Sequence, residues 1–174
     1  MNNKSKKNIT PVLIGAFSGA FFSFILCEVI RAAAAYLAGA ERFHFHWSGI
    51  KLQLGFVLHS KAILAVLIYL IPFILNISVI TSALQMMRKL PVGAKRHTII
   101  IFSLFIIGYI IIDLFYGAFS IVLNFNREND WFMIPQSLGL SGTGSAIFIF
   151  FVIILSMGYL NLLLKNILQY INAK

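Results

Sequence analysis

Residues 11–38 read PVLIGAFSGAFFSFILCEVIRAAAAYLA, an apolar run whose only charged residues are Glu28 and Arg31. A helix needs about 20 apolar residues to cross a bilayer, and this run exceeds that length. Three further apolar runs follow, at residues 62–84, 98–123 and 144–168. The sequence therefore predicts an all-α membrane protein in which about four transmembrane helices form one integral membrane domain over residues 1–174.

The composition agrees with this class of protein. Hydrophobic residues make up 60% of the chain and charged residues 11%, and the mean hydropathy is +0.91. The net charge of +9 falls in short connections between apolar runs, so nucleic-acid binding is a poor explanation of it and the lipid bilayer is the expected environment. A single cysteine excludes an internal disulfide and a cysteine-based structural zinc site.

The basic residues predict an orientation. Nine of them lie at the termini and in the second connection, whereas four lie on the other side of the predicted spans. By the positive-inside rule both termini face the cytoplasm, and we expect a bacterial cytoplasmic membrane. The first apolar run is too long for the hydrophobic region of a signal peptide, so we expect it to remain as a helix.

Residues 41–58 follow a different pattern from the spans. Phe43, Phe45 and Trp47 alternate with two histidines, and a second alternation follows a Ser48-Gly49 turn. Such alternation is typical of strands and predicts a short β-ribbon between the first and second spans, with an irregular interfacial loop as the alternative. The next outer connection, residues 124–140, is a wide loop and is the expected contact surface for a partner.

Three charged residues lie well inside the predicted spans, where each costs a few kcal/mol and marks a functional-site hypothesis. Arg31 follows Glu28 at i,i+3 on the same helical face, so the two can form an ion pair. Asp113 lies roughly 23 Å along the third span and Glu28 roughly 26 Å along the first, at about 1.5 Å per residue. The similar depth would allow Glu28 and Asp113 to share a site.

Small and polar residues in the spans predict how the helices pack. Small side chains let neighbouring backbones approach closely in a membrane, and a buried amide needs a hydrogen-bond partner there. The candidates for helix packing are Gly15, Gly19, Ala32, Ala35, Gly39 and Asn76.

The run Cys27-Glu28-Val29-Ile30-Arg31, followed by small residues and a glycine, resembles the HExxH helix of the site-2 protease family of intramembrane zinc metalloproteases. In that motif two imidazoles at i and i+4 hold zinc, and the Glu activates the metal-bound water. The resemblance implies that Glu28 takes the place of the catalytic Glu. Cys27 and Arg31 stand where the family has its two histidines.

The resemblance covers about residues 27–80, including the ribbon and the Pro72 and Asn76 pair in the second span. In the family the third zinc ligand is an Asp on a later helix, and the active site opens toward the cytosol. Asp113, by depth, and Asp130, in the outer connection, are the candidates for that position here. The charge pattern places Glu28 nearer the outer face.

The departures from the motif favour a non-catalytic protein. Arginine has no lone pair for zinc and repels it, so the leading hypothesis is that Arg31 and Glu28 form an ion pair in place of a metal site, with no cofactor. Such a protein would act by binding a membrane partner. One alternative is a metalloprotease whose zinc is held by Cys27 and Asp113, with His44 or His46 recruited. The other is a small proton or cation transporter subunit using Glu28 and Asp113.

Overall fold

The computed structural model of the chain describes residues 3–47, 52–58, 62–125 and 127–172, with side chains between Ile9 and Ile171. The chain folds as a helical bundle that carries one two-stranded antiparallel sheet. In chain order the helices and strands are α1 (Asn3–Phe21), α2 (Cys27–Leu37), β1 (Glu41–Trp47), β2 (Leu52–Val57), α3 (Ala62–Lys89), α4 (Ala94–Leu123), α5 (Asp130–Ser137) and α6 (Thr143–Asn172). The predicted fold class, with its ribbon between the first and second spans, is confirmed.

Four helical stretches are long and apolar enough to cross a membrane. Most of them extend beyond the predicted ends, because the polar residues that flank the apolar runs continue the helix; Arg88 and Lys89, for example, lie in the last turn of α3. The length and composition of these helices identify an integral membrane protein. The four stretches are Ile9–Leu37, Ala62–Lys89, Ala94–Leu123 and Thr143–Ile171.

The first span contains a π-helical turn, Phe22–Leu26, which joins α1 to α2. The backbone N–H of Cys27 donates to the carbonyl oxygen of Phe22, five residues earlier. Such turns occur mostly as single insertions in α-helices, frequently at functional sites. Here the insertion lies immediately before Cys27 and Glu28, and it therefore sets the direction in which the side chains of residues 27–31 face.

Gly15 and Gly19 place α1 directly against α4. A Cβ atom at Gly15 would lie 2.6 Å from the carbonyl oxygen of Thr98, and one at Gly19 would lie 3.1 Å from the Cβ of Phe105. Neither backbone could approach this closely if the glycines were larger residues. The GxxxG pair thus packs two spans of the same chain together.

The small-residue strip on α2 is shorter than predicted. Ala35 is fully buried in the core and Ala32 packs at its edge. Gly39 was assigned to the same strip, and that assignment is wrong, because Gly39 is exposed and follows the end of the helix. Its φ of +80° and the bond from the N–H of Ala40 to the carbonyl of Ala35 end α2 in a left-handed cap that favours glycine.

The ribbon pairs β1 with β2 in an antiparallel register, with His46 opposite Gln53 and Trp47 opposite Leu52. The predicted Ser48-Gly49 turn lies outside the described residues. Phe56 is buried and stacks on Tyr69 of α3, with 5.2 Å between ring centroids. A two-stranded ribbon is marginal alone, so this packing against the helices stabilises it.

The outer connection over residues 124–140 is predicted as a wide loop, and the structure corrects this for part of its length; its role as a contact surface stays a prediction. Its second half forms α5, which packs against α3, α4 and α6. The side chain of Asn129 caps α5 by accepting the backbone N–H of Trp131 at 2.9 Å. Trp131 and Ile134 are buried in the core, so one face of α5 is covered by the bundle itself.

Candidate functional site

Arg31 lies at the centre of a buried polar network. Its side chain is fully buried, and its Nη2 atom lies 2.5 Å from Oε2 of Glu28 and donates to the carbonyl oxygen of Leu54 at 3.0 Å. Its Nη1 atom donates to Oδ1 of Asp130, so the guanidinium makes a second ion pair. One side chain therefore connects α2, β2 and α5.

Besides Arg31, the start of α5 and the side chain of Gln53 hold Asp130 in place. It is the first residue of α5, where the helix dipole favours a negative charge. The side-chain amide of Gln53 donates to Oδ1 of Asp130 at 3.2 Å and to the backbone carbonyl of Glu128 at 2.6 Å. The ribbon thus positions Asp130 against Arg31 from the opposite side to α2.

The charged members of this network are buried together. Glu28, Arg31 and Asp130 are all at most 3% exposed, and the guanidinium contacts both carboxylates. Removing a charge from such a buried group costs several kcal/mol, because its partner is then left buried without compensation. The two ion pairs with Arg31 help to offset the cost of burying the carboxylates of Glu28 and Asp130.

Asp113 of α4 contacts Trp131, the residue that follows Asp130. The indole N–H of Trp131 donates to Oδ2 of Asp113 at 2.8 Å. Gly117, one turn further along α4, makes room for this indole, since a Cβ atom there would lie 2.5 Å from the Cβ of Trp131. The sequence left Asp113 and Asp130 as alternatives beside the HExxH-like segment. In the structure Asp130 forms an ion pair with Arg31, whereas Asp113 accepts a hydrogen bond from Trp131.

Two further residues named from the sequence lie near the network. Cys27 is fully buried at the start of α2, one turn before Arg31. Asn76 is buried in α3, where its amide donates to the carbonyl of Pro72 at 2.8 Å and its Oδ1 accepts from the hydroxyl of Ser23 at 2.9 Å. The second bond ties the π-helical turn to α3, and so it stabilises the segment that carries Cys27 and Glu28.

The sequence grouped the ribbon histidines with Cys27 and Asp113, whereas the structure places them beside Glu128. Nε2 of His46 is 3.1 Å from Oε2 of Glu128, and Nε2 of His44 is 3.8 Å from the same oxygen. Within the described part of the chain, these three residues are the group whose geometry suits a metal ion. Sequence reasoning missed Glu128 and Gln53, because both contact residues far away in the chain. Gln53 had one weak signal, a polar position within an apolar strand.

Comparison with models of protein families, with curated proteins and with solved structures found no match to this chain.

Proposed function

We propose that this chain is a non-catalytic membrane protein of site-2-protease-like design, in which Arg31 takes the place of the metal ion. The observation that carries the proposal is the position of the buried guanidinium, in contact with both Glu28 and Asp130. A catalytic zinc normally has three protein ligands and one open position. Here a fixed positive charge stands where the resemblance would put the second imidazole.

The chemistry of hydrolysis supports the same proposal. In the mechanism that the resemblance implies, Glu28 would act as a general base on a metal-bound water. Arginine stays protonated and offers no lone pair, so it holds both carboxylates as a cation without activating water. The site is therefore suited to stability and binding, and we infer that the protein acts on a membrane partner by contact.

The distribution of charge supports an orientation with both termini in the cytoplasm. Arg88 and Arg96 gather at the end of the bundle opposite the ribbon, where both contact Tyr170 near the end of α6. An excess of basic residues on one side is typical of the cytoplasmic side. The ribbon, α5 and the Arg31 network would then face outward, in a bacterial cytoplasmic membrane.

Zinc content after removal of the ribbon histidines tests the proposal. We expect His44→Ala/His46→Ala protein, purified in detergent with a removable tag that lacks histidine, to contain no stoichiometric zinc by elemental analysis. The reason is that Arg31 already compensates Glu28 and Asp130. Stoichiometric zinc that is lost on adding Cys27→Ala would contradict the proposal and support a metalloenzyme with unconventional ligands.

A further inference from the structure

The outer end of the molecule carries a second polar cluster, formed by His44 and His46 of β1 and Glu128 of the turn before α5. One ligand atom from each residue lies within 4.8 Å of the others. The two imidazoles are at i and i+2, so the strand presents both on the same face. Their cross-strand partners on that face are Gly55 and Gln53.

Gly55 leaves space for the His44 ring. A Cβ atom at Gly55 would lie 2.3 Å from both Cε1 and Nε2 of His44, so any larger residue would push the imidazole away. The side chain of Gln53 fixes the other half of the cluster, because it donates to the carbonyl oxygen of Glu128 itself. The ribbon thus brings both histidines and the Glu128 turn together.

The contacts of His44 favour one orientation of its ring. Nδ1 of His44 lies 3.4 Å from the carbonyl oxygen of Arg42 and Nε2 faces Glu128. In the tautomer whose Nδ1–H donates to this carbonyl, Nε2 carries the lone pair that could bind a metal ion beside the Glu128 carboxylate. Metal-binding histidines usually donate their other N–H to a carbonyl in this manner.

The backbone beside the cluster departs from regular strand geometry. The pairing register shifts between Glu41 and His44, and Arg42 adopts a φ of +54°, which is uncommon for a residue with a side chain. Bulges of this kind re-aim side chains and are frequent next to functional sites. The irregularity lies directly before the first histidine.

We propose that His44, His46 and Glu128 bind a divalent transition-metal ion, and that zinc is the ion best suited to them. Ligand atoms about 2.0–2.1 Å from a tetrahedral zinc lie roughly 3.4 Å apart. The distances from Oε2 of Glu128 to the two Nε2 atoms, 3.1 and 3.8 Å, lie on either side of that value. Two imidazoles and a carboxylate are a zinc donor set that leaves one coordination position open.

The proposed ion would fasten the ribbon to the α5 turn without touching the Arg31 network. Glu128 precedes Asp130 by two residues, and Asp130 is the residue that pairs with Arg31. Binding at Glu128 would therefore hold the turn that positions Asp130. His44 and Glu128 are more than half exposed, so the open position is accessible to water or to a ligand from outside the chain.

Zinc titration of the chelator-treated protein tests this inference. We expect the full chain in detergent, with a removable tag lacking histidine, to bind one zinc ion per chain by calorimetry. His44→Ala, His46→Ala and Glu128→Gln should each weaken binding by at least about tenfold, since each removes a ligand. His97→Ala is the matched control, an exposed histidine at the other end of the bundle, and it should bind as the unchanged protein does.

Hydrogen exchange gives a second readout on the same samples. Zinc should slow exchange of the backbone amides of β1 and β2 in the unchanged protein and in His97→Ala, but not in His46→Ala. Equal zinc affinity in the unchanged protein and the three ligand variants would overturn the inference, as would the absence of zinc binding to the folded chain. Zinc lost only on Cys27→Ala would overturn it as well and would contradict the proposed function.

Discussion

Arg31→Ala is expected to lower the free energy of unfolding in detergent micelles by about 3–5 kcal/mol, the range for breaking a buried ion pair from one side. The variant leaves the carboxylates of Glu28 and Asp130 buried with no guanidinium between them. It also removes the donor to the carbonyl oxygen of Leu54. Denaturation of the purified protein, followed by circular dichroism, measures the loss.

The matched control removes the charges together. Glu28→Gln/Arg31→Met would neutralise the ion pair that the sequence predicts, but it would leave Asp130 uncompensated, because Asp130 also pairs with Arg31. The triple variant Glu28→Gln/Arg31→Met/Asp130→Asn is therefore expected to be markedly more stable than Arg31→Ala, since neutral replacements of a buried network are often tolerated. Equal stability of the single and triple variants would remove the argument from ion pairing.

Cys27→His/Arg31→His is expected to convert a protein without zinc at this site into one that binds about one zinc ion per chain. The two changes give residues 27–31 of α2 the sequence HEVIH. Its two imidazoles, at i and i+4, lie on one helical face as a zinc site requires. They also remove the guanidinium that contacts Glu28 and Asp130. The measurement is elemental analysis in the His44→Ala/His46→Ala background, which excludes binding at the ribbon.

The same background identifies the third ligand. Because Asp130 contacts the side chain at position 31, Asp130→Asn should abolish the gained zinc. Asp113→Asn should retain it, since that carboxylate accepts the indole N–H of Trp131. Loss of zinc on Asp113→Asn with retention on Asp130→Asn would make Asp113 the third ligand instead. A folded Cys27→His/Arg31→His variant that binds no zinc would contradict the proposal that Arg31 takes the place of a metal ion.

Hydropathy was sufficient to predict the spans and the ribbon. Length and apolar content define membrane helices almost independently of tertiary contacts, and the strict alternation over residues 42–47 is a local property of a strand. The helix ends were less predictable, since Arg88 and Lys89 continue α3 beyond the apolar run.

The candidate site was only partly predictable, because its members come together through contacts between distant residues. The i,i+3 spacing of Glu28 and Arg31 gave their pairing directly. Depth along the spans could not choose between Asp113 and Asp130, because Asp130 belongs to a helix that a count of apolar residues does not detect. The segment Asn129-Asp130-Trp131 carries an N-cap signal that could have revealed α5.

Two features had no usable signal in the sequence. The π-helical turn Phe22–Leu26 reads as part of an ordinary apolar helix, although it sets the facing of Cys27 and Glu28. Glu128 meets the ribbon histidines beside Gln53, which is 75 residues away in the chain and donates to the backbone carbonyl of Glu128. Such contacts depend on how the bundle packs, and local pattern does not encode them.

A double-mutant cycle between Arg31 and Asp130 measures whether the guanidinium compensates this carboxylate across the bundle. The free energy of unfolding would be measured for the unchanged protein, Arg31→Met, Asp130→Asn and the double variant in the same detergent. A coupling energy of at least about 2 kcal/mol is expected for a buried, hydrogen-bonded ion pair. Additive effects, with a coupling energy near zero in folded variants, would show that Arg31 does not compensate the charge of Asp130.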